Sequence, residues 1–392
     1  MKKLLALGVA LLFATFLPQG VRAQGNQITI GETAVLHSDV LREDRQILIC
    51  MPQGYRHSDM RYPVIYLLDG DAHFLHVTGI ADFLSRQTLM PQVIVVGIPN
   101  TDRTRDLTPA TSDTGSDVKN AGGADRFLKF LGGELEPYIE AHFRTEPYKI
   151  LIGHSLGGLF AVHAMLKEPG SFNASLALSP SLWWNKQSEV AAAEEFVKSH
   201  KRFRNFLYLT LGNEGDQMRN PIERLTTLLQ SNPIDGFRWK YTPMPLETHG
   251  TIVHRSVYDG LEYLFSVYAS AANSRDSSVA SLKHRFSDIS DYYGYRIEPP
   301  EQVVNQLGYA LLQRKQIDDA IEMFRYNVEN HPGSANVYDS LGDGYEASGD
   351  LEAARENCER ACARGKETED PNEALYLKHL QAVNAKLSPA HQ

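Results

Sequence analysis

Tyr148-Lys149-Ile150-Leu151-Ile152-Gly153-His154-Ser155-Leu156-Gly157-Gly158-Leu159-Phe160 decides how this chain of 392 residues folds. Apolar, β-prone residues feed Gly153-His154-Ser155-Leu156-Gly157, and Leu159, Phe160, Ala161 and Val162 then open an apolar run of helical length. The reading is strand, sharp turn, helix. A serine at such a turn stands on strained backbone above a sheet edge, and glycines flank it because side chains there would collide with strand and helix. The Leu156 N–H points at whatever the serine attacks, and His154 beside it is a candidate pocket residue. A glycine-rich turn without chemistry also matches G-x-S-x-G; the strand before it and the helix after it favour a nucleophile.

Outward from this stretch, strands and helices alternate. Residues 62–68 form a continuous apolar run ending in Asp69-Gly70-Asp71, and residues 92–98 form a second, as expected of strands buried on both faces. Further strands are expected at 175–179, 206–211 and 237–241, with helices at 74–89, 124–143, 189–199 and 222–230. Two β-rich runs, 28–30 and 47–51, suggest an antiparallel opening hairpin. The fold class is α/β: a doubly wound, mostly parallel sheet with helices on both faces. Ligands of such sheets bind at the carboxyl ends of the strands, and Ser155 is at one.

After Ser266 the pattern changes. Residues 269–278 are rich in Ser, Ala and Asn and read as a linker, and beyond them no buried strand is expected. A period of 34 emerges instead: Leu307-Gly308, Ala320, Phe324 and Pro332 are matched by Leu341-Gly342, Ala354 and Cys358, with Lys366 where a second proline would close the repeat. Tyr345 and Ala361 are also on pattern. These positions resemble tetratricopeptide repeats, in which small residues let two antiparallel helices touch and large ones fill the gap. Residues 372–386 would form a capping helix. The organisation read here is a leader at 1–23, a catalytic domain at 24–270, a linker or docking segment at 271–300 and an all-α helical-repeat domain at 301–392.

The leader is read from Lys2 and Lys3, an apolar run at 4–16, and Val21-Arg22-Ala23, a small-residue cleavage pattern. The run is short of the roughly 20 residues of a spanning helix, so the expectation is export to the periplasm or medium with no membrane span after cleavage. A net charge of -9 gives no electrostatic reason to bind nucleic acid or anionic lipid. Three cysteines make no disulfide framework. Cys50 reads as part of a buried strand, and Cys358 and Cys362, four apart on one helix, read as small hydrophobes rather than a bridge or metal pair.

A serine hydroxyl needs a base to take its proton and a carboxylate to hold that base in the right tautomer. The acid should come from Gly212-Asn213-Glu214-Gly215-Asp216, after the strand at 206–211: Glu214 is nearer the strand end, and Asp216 is the alternative. His249, in Pro245-Leu246-Glu247-Thr248-His249-Gly250, is the expected base; His254 falls inside the next helix, in a solvated or capping role. The second oxyanion donor is expected from the turn after the strand at 62–68, as the Asp71 N–H. Asp69 and Asp71 lack partners at metal-ligand spacing, and no metal or cofactor is implied. Phe74, Trp183 and Trp184 are candidate pocket walls or packing residues. Arg103 and Arg105 stand on the same rim, either to grip an acidic substrate group or to salt-bridge their own loop.

Together, residues 62–70, 97–109, 153–160 and 247–250 resemble the Putative esterase family of the α/β-hydrolase superfamily. It includes siderophore (enterochelin-type), feruloyl and acetyl esterases, S-formylglutathione hydrolases and mycolyltransferases. The resemblance covers 27–269 and implies a Ser155, Glu214, His249 triad, although some siderophore esterases of the family dispense with a conventional acid. The expected function is an exported serine hydrolase acting on a small-molecule, glycan-linked or siderophore ester. Acyl transfer is the rival within the same chemistry, and a tetratricopeptide binding module on a hydrolase scaffold is the rival of another class. The tail is expected to dock on the hydrolase domain or on a second chain, the latter giving a homodimer, because two repeats leave apolar surface exposed.

Overall fold

The computed structural model describes residues 29–111, 120–274, 276 and 278–388, so the leader expected at 1–23 lies outside the described residues. Its centre is one eight-stranded sheet in the order β1-β2-β4-β3-β5-β6-β7-β8. The strands are β1 (Glu32–Ser38), β2 (Glu43–Cys50), β3 (Tyr62–Leu68), β4 (Ile94–Ile98), β5 (Thr145–His154), β6 (Ala174–Leu178), β7 (Arg202–Leu211) and β8 (Asp235–Pro243). β1 and β2 form the expected antiparallel hairpin, and β4 through β8 run parallel. The first strand is later than the sequence suggested. Thr29 and Ile30 are not in a strand; Glu32–Ser38 pairs instead, as an edge strand with a largely exposed outer face.

Period-two alternation assigns the central strands' side chains to two cores. Ile65, Leu67, Ile150, Ile152, Leu176 and Leu178 face one side, against α1 (Gly70–Arg86) and α8 (Ile252–Leu264). Val64, Tyr66, Leu68, Leu151, Ala177 and Leu209 face the other. There α3 (Ala124–Phe130), α5 (Leu156–Lys167), α6 (Trp184–Ser199) and α7 (Asp216–Ser231) cover them. Short α2 (Arg103–Leu107) packs beside α3, and the helix expected at 124–143 is interrupted by a π turn, Leu131–Leu135, before α4 (Glu136–His142). The order reverses at β3: the chain moves out to β4 on one side and returns through β5 on the other. This leaves a crevice at the carboxyl ends of β3 and β5.

Beyond α9 (Ser266–Ala272), the segment expected as a linker contains a helix, α10 (Val279–Tyr293). Val279, Leu282, Phe286, Ile289 and Tyr293 make its buried face and join the first core. Tyr293 hydrogen-bonds the Leu264 carbonyl at 2.9 Å, and the rings of Tyr293 and Tyr295 lie 5.8 and 5.2 Å from that of Tyr148 on β5. Four helices follow: α11 (Glu301–Gln313) and α12 (Ile317–Asn330), then α13 (Ala335–Ser348) and α14 (Leu351–Glu367), the second pair beginning 34 residues after the first. α15 (Glu373–Leu387) closes the tail. Val303, Val304, Leu311, Phe324 and Leu341 belong to the same continuous core as that side of the sheet, and α10, against which α12 packs, joins the first helix pair to it.

A chain ended at Ser278 would uncover Tyr148, Leu264, Phe265 and Tyr268, all buried in the full chain. It is expected to associate or precipitate where the full chain stays dispersed. Light scattering checks this, and a monodisperse, fully active truncated chain would refute the packing argument.

Candidate active site

Ser155 sits between β5 and α5 with φ 60° and ψ -114°, outside the regions that L residues favour. The glycines make that turn sterically feasible: a Cβ on Gly153 would lie 2.2 Å from the Gly157 carbonyl oxygen, and one on Gly158 would lie 2.9 Å from Pro180 Cα. The turn is tied to β6 and the loop after it, because Ser155 N–H donates to Leu178 O at 2.9 Å and Ser181 N–H to Ser155 O at 3.0 Å. The Leu156 amide opens α5, where leading N–H groups have no helical partner.

Glu214 and His249 meet beside this turn. Met244 N–H bonds Leu211 O and Asn213 N–H bonds Glu247 O at 2.7 Å, drawing together the loops that follow β7 and β8. His249 Nδ1 then lies 2.6 Å from Glu214 Oε2, so the ring's Nδ1 proton is donated to the carboxylate. Glu214 Oε1 accepts from Ser179 Oγ at 2.6 Å and Gly212 N–H at 3.1 Å, which fills the other side of the carboxylate. The Glu214 side chain is 8% exposed. Asp216 is 80% exposed in the first turn of α7 and meets Arg219. The geometry thus brings Glu214, and not Asp216, to His249. Ser155 Oγ lies 3.3 Å from Ser181 Oγ, and no Ser155–His249 hydrogen bond is present among the described residues.

At the end of β3 the left-handed residue is Asp69 (φ 53°), not Gly70. Gly70 is needed for close approach, since a Cβ there would lie 2.6 Å from Ile98 N. Asp69 O accepts from Ala72 and His73 N–H, and the Gly70 and Asp71 amides lead α1. The Asp71 carboxylate accepts from Asn100 N–H and Asn100 Nδ2.

Arg103 is not free to grip a substrate. It forks onto Asp69 at 2.6 and 2.9 Å and donates to His154 O at 3.1 Å, tying together the turns after β3 and β5. Burial works against the Asp69 charge, but the paired bonds from Arg103 outweigh it and hold the carboxyl below its usual range. Arg105 binds both oxygens of Glu43 and one of Asp106, so of the two roles expected of the arginines it is the loop salt bridge that is formed. Trp184 is buried with its indole N–H on Pro109 O at 3.1 Å, which makes it packing and not pocket wall; Trp183 packs half-buried on the same core. Phe74 packs over Gly97 on the far side of β3.

A row of imidazoles leads away from His249. Its ring centroid is 4.6 Å from that of His154, which is 6.0 Å from His73, then 5.2 Å to His76 and 5.3 Å to His254. Ser179, Ser181, His73 and His76 are the residues that the sequence reading missed. The signal for the serines was Ser179-Pro180-Ser181 at the end of the strand next to the nucleophile's; the histidines are one turn apart on α1 and gave none.

Burial first, then the neighbouring His249 and His73 charges, push His154 down to about 4. It is therefore neutral in the fold, whereas the unfolded chain protonates it near 6.5. Its contribution to stability is complete above pH 6.5 and is lost as pH falls toward 4. His154→Asn should remove about 2 kcal/mol of the stability lost between pH 7 and pH 5. Urea unfolding at both pH values checks this; an unchanged pH difference in the variant would contradict it.

Comparison with known proteins follows the same lines. The siderophore enterobactin esterase of Emericella nidulans is 37% identical over 161 residues, 36% of this chain and 52% of that protein. The chain spans about half the length of the curated relatives it matches. The solved IroE-like serine hydrolase of Shewanella oneidensis superposes with a TM-score of 0.69 at 31% identity, over 76% of this chain and 99% of that one. An uncharacterised protein of Capnocytophaga ochracea shares the fold across 90% of this chain, tail included, at 18% identity and a TM-score of 0.59. The sheet is that of an α/β hydrolase followed by an all-helical region. The model of the "Putative esterase" family matches residues 38–241, more than half of the chain, and the chain belongs to that family.

Proposed function

We propose that the protein is an exported serine esterase that cleaves carboxylic esters through an acyl-enzyme, with Ser155 as nucleophile, His249 as base and Glu214 as the acid. The observation that carries this is the 2.6 Å His249–Glu214 contact beside a serine on strained strand-to-helix backbone. Packing alone gives no reason for that set at three neighbouring strand ends. With Nδ1 donating to Glu214, His249 presents a basic Nε2. Closure of the half-exposed His249 loop onto substrate brings Nε2 to Ser155 Oγ, exchanging the Ser181 contact for the catalytic one. Oγ attacks the ester carbonyl as its proton passes to Nε2, and the amides of Leu156 and Asp71 hold the oxyanion. The imidazolium, stabilised by Glu214, then protonates the leaving alkoxide. A water repeats the sequence to release the acid.

The names of the relatives support a siderophore ester as substrate. The test is paired: labelling of Ser155 by a fluorophosphonate, and release of acid from p-nitrophenyl and catecholate siderophore esters. Incubation with an alcohol acceptor separates hydrolysis from acyl transfer. Failure of both labelling and turnover would leave a binding module, with the helical tail as its recognition surface.

A further inference from the structure

Away from the active site, the last three helices converge on a second constellation. Asp339 lies on α13, Cys358 on α14 and His379 on α15, and one potential ligand atom from each falls within 4.8 Å of the other two. We propose that these three side chains form a metal site of the zinc class that pins the end of the tail together. A thiolate, an imidazole and a carboxylate are the donors zinc takes, and with Zn²⁺ they make an electrically neutral set.

The surroundings fit that use. His379 Nδ1 lies 2.7 Å from Asp339 Oδ1, sharing a proton where a metal would draw both atoms to about 2.1 Å from itself. Binding therefore releases that proton and the Cys358 thiol proton. His379 Nε2 is buried without a hydrogen bond, and its nearest acceptors are Asp343 Oδ1 at 3.4 Å and Glu346 Oε2 at 3.5 Å. A carboxylate behind the far nitrogen is the support that metal-bound imidazoles use. Both acids are already oriented: Tyr309 Oη donates to Asp343 at 2.6 Å, and Lys386 Nζ to Glu346. Gly342 keeps the centre open, since a Cβ there would stand 2.9 Å from Cys358 Sγ and 3.6 Å from His379 Cε1.

The fold at this end has use for such a link. The apolar contacts that hold α15 are two small groups, Ala335, Ala361 and Tyr376, and Ala354, Cys358 and Val383, while Leu375 and Leu377 on the same helix are largely exposed. A thin core is where a metal adds most to folding. Cys358 serves as a core residue in the metal-free fold and as a ligand in the loaded one. Cys362, one turn on, packs into the first small group and stands outside the set.

The experiment uses the full chain, stripped with a chelator and titrated with Co²⁺ as the spectroscopic stand-in for zinc. One Co²⁺ per chain should bind with a thiolate-to-cobalt charge-transfer band that Zn²⁺ abolishes. Cys358→Ala and His379→Gln should each remove the band and weaken binding roughly 100-fold, while Cys362→Ala keeps both and ester hydrolysis is unchanged. If Cys358→Ala fails to fold by circular dichroism, His379→Gln decides alone. Absence of the band in the wild type, its survival in either ligand variant, or Co²⁺ bound without any thiolate signature overturns the site.

Discussion

Alanine at position 155 is expected to lower ester turnover by roughly 10⁴-fold or more while leaving the melting temperature nearly unchanged. The two halves of this expectation have separate origins. Turnover is lost because no other hydroxyl stands on the turn that carries the Leu156 amide; Ser181, 3.3 Å away, belongs to a different loop. Stability is kept because the structural work at 155 is done by its backbone, which bonds Leu178 and Ser181 whatever the side chain. The left-handed φ costs alanine about as much as serine. Steady-state rates, fluorophosphonate labelling and a thermal melt on one preparation check both halves. Hydrolysis at the wild-type level would remove Ser155 from the mechanism.

Glu214→Gln should reduce kcat by roughly 10²- to 10⁴-fold, and Asp216→Asn by less than about twofold. Glutamine retains an oxygen for Ser179 and Gly212, so the loop keeps its shape. It offers an N–H to His249 Nδ1 where a carboxylate offered a lone pair, and the ring must turn its other tautomer toward the serine. Asp216 is largely exposed and pairs with Arg219 along its own helix, so its amide analogue changes little near the site. A reversed order of the two variants would transfer the acid's role to Asp216.

The strands and helices around Ser155 were legible because their signals are local. A fully apolar β3, the apolar run at 150–152 in β5 and the turn at 153–157 around Ser155 carry their own explanation. The acid was legible only as a preference for Glu214, nearer the strand end, over Asp216 in the same loop; the pairing of Asn213 with Glu247, across loops that follow different strands, is what turns Glu214 toward His249. Arg103 and Arg105 kept two possible roles in the sequence for a related reason. Their partners Asp69 and Glu43 are distant in sequence, and a charged loop reads the same whether it faces substrate or its own scaffold. The edge strand β1 was displaced because an exposed strand has little apolar pattern to read. The α10 helix had its 3–4 spacing in plain view, but the Ser- and Asn-rich segment before it dominated the reading.

Tyr148, whose ring rests against Tyr293 and Tyr295, belongs to the same strand that ends just before Ser155. A ribosome makes that strand long before it makes α10. α1 and α8 already cover part of that face, but until α10 emerges the region around Tyr148 has nothing to close against, and the nascent hydrolase cannot complete its core. Synthesis of the tail therefore sets the moment at which the enzyme seals, and a chain cut short on the ribosome leaves behind an unfinished sheet in place of a loose but working hydrolase.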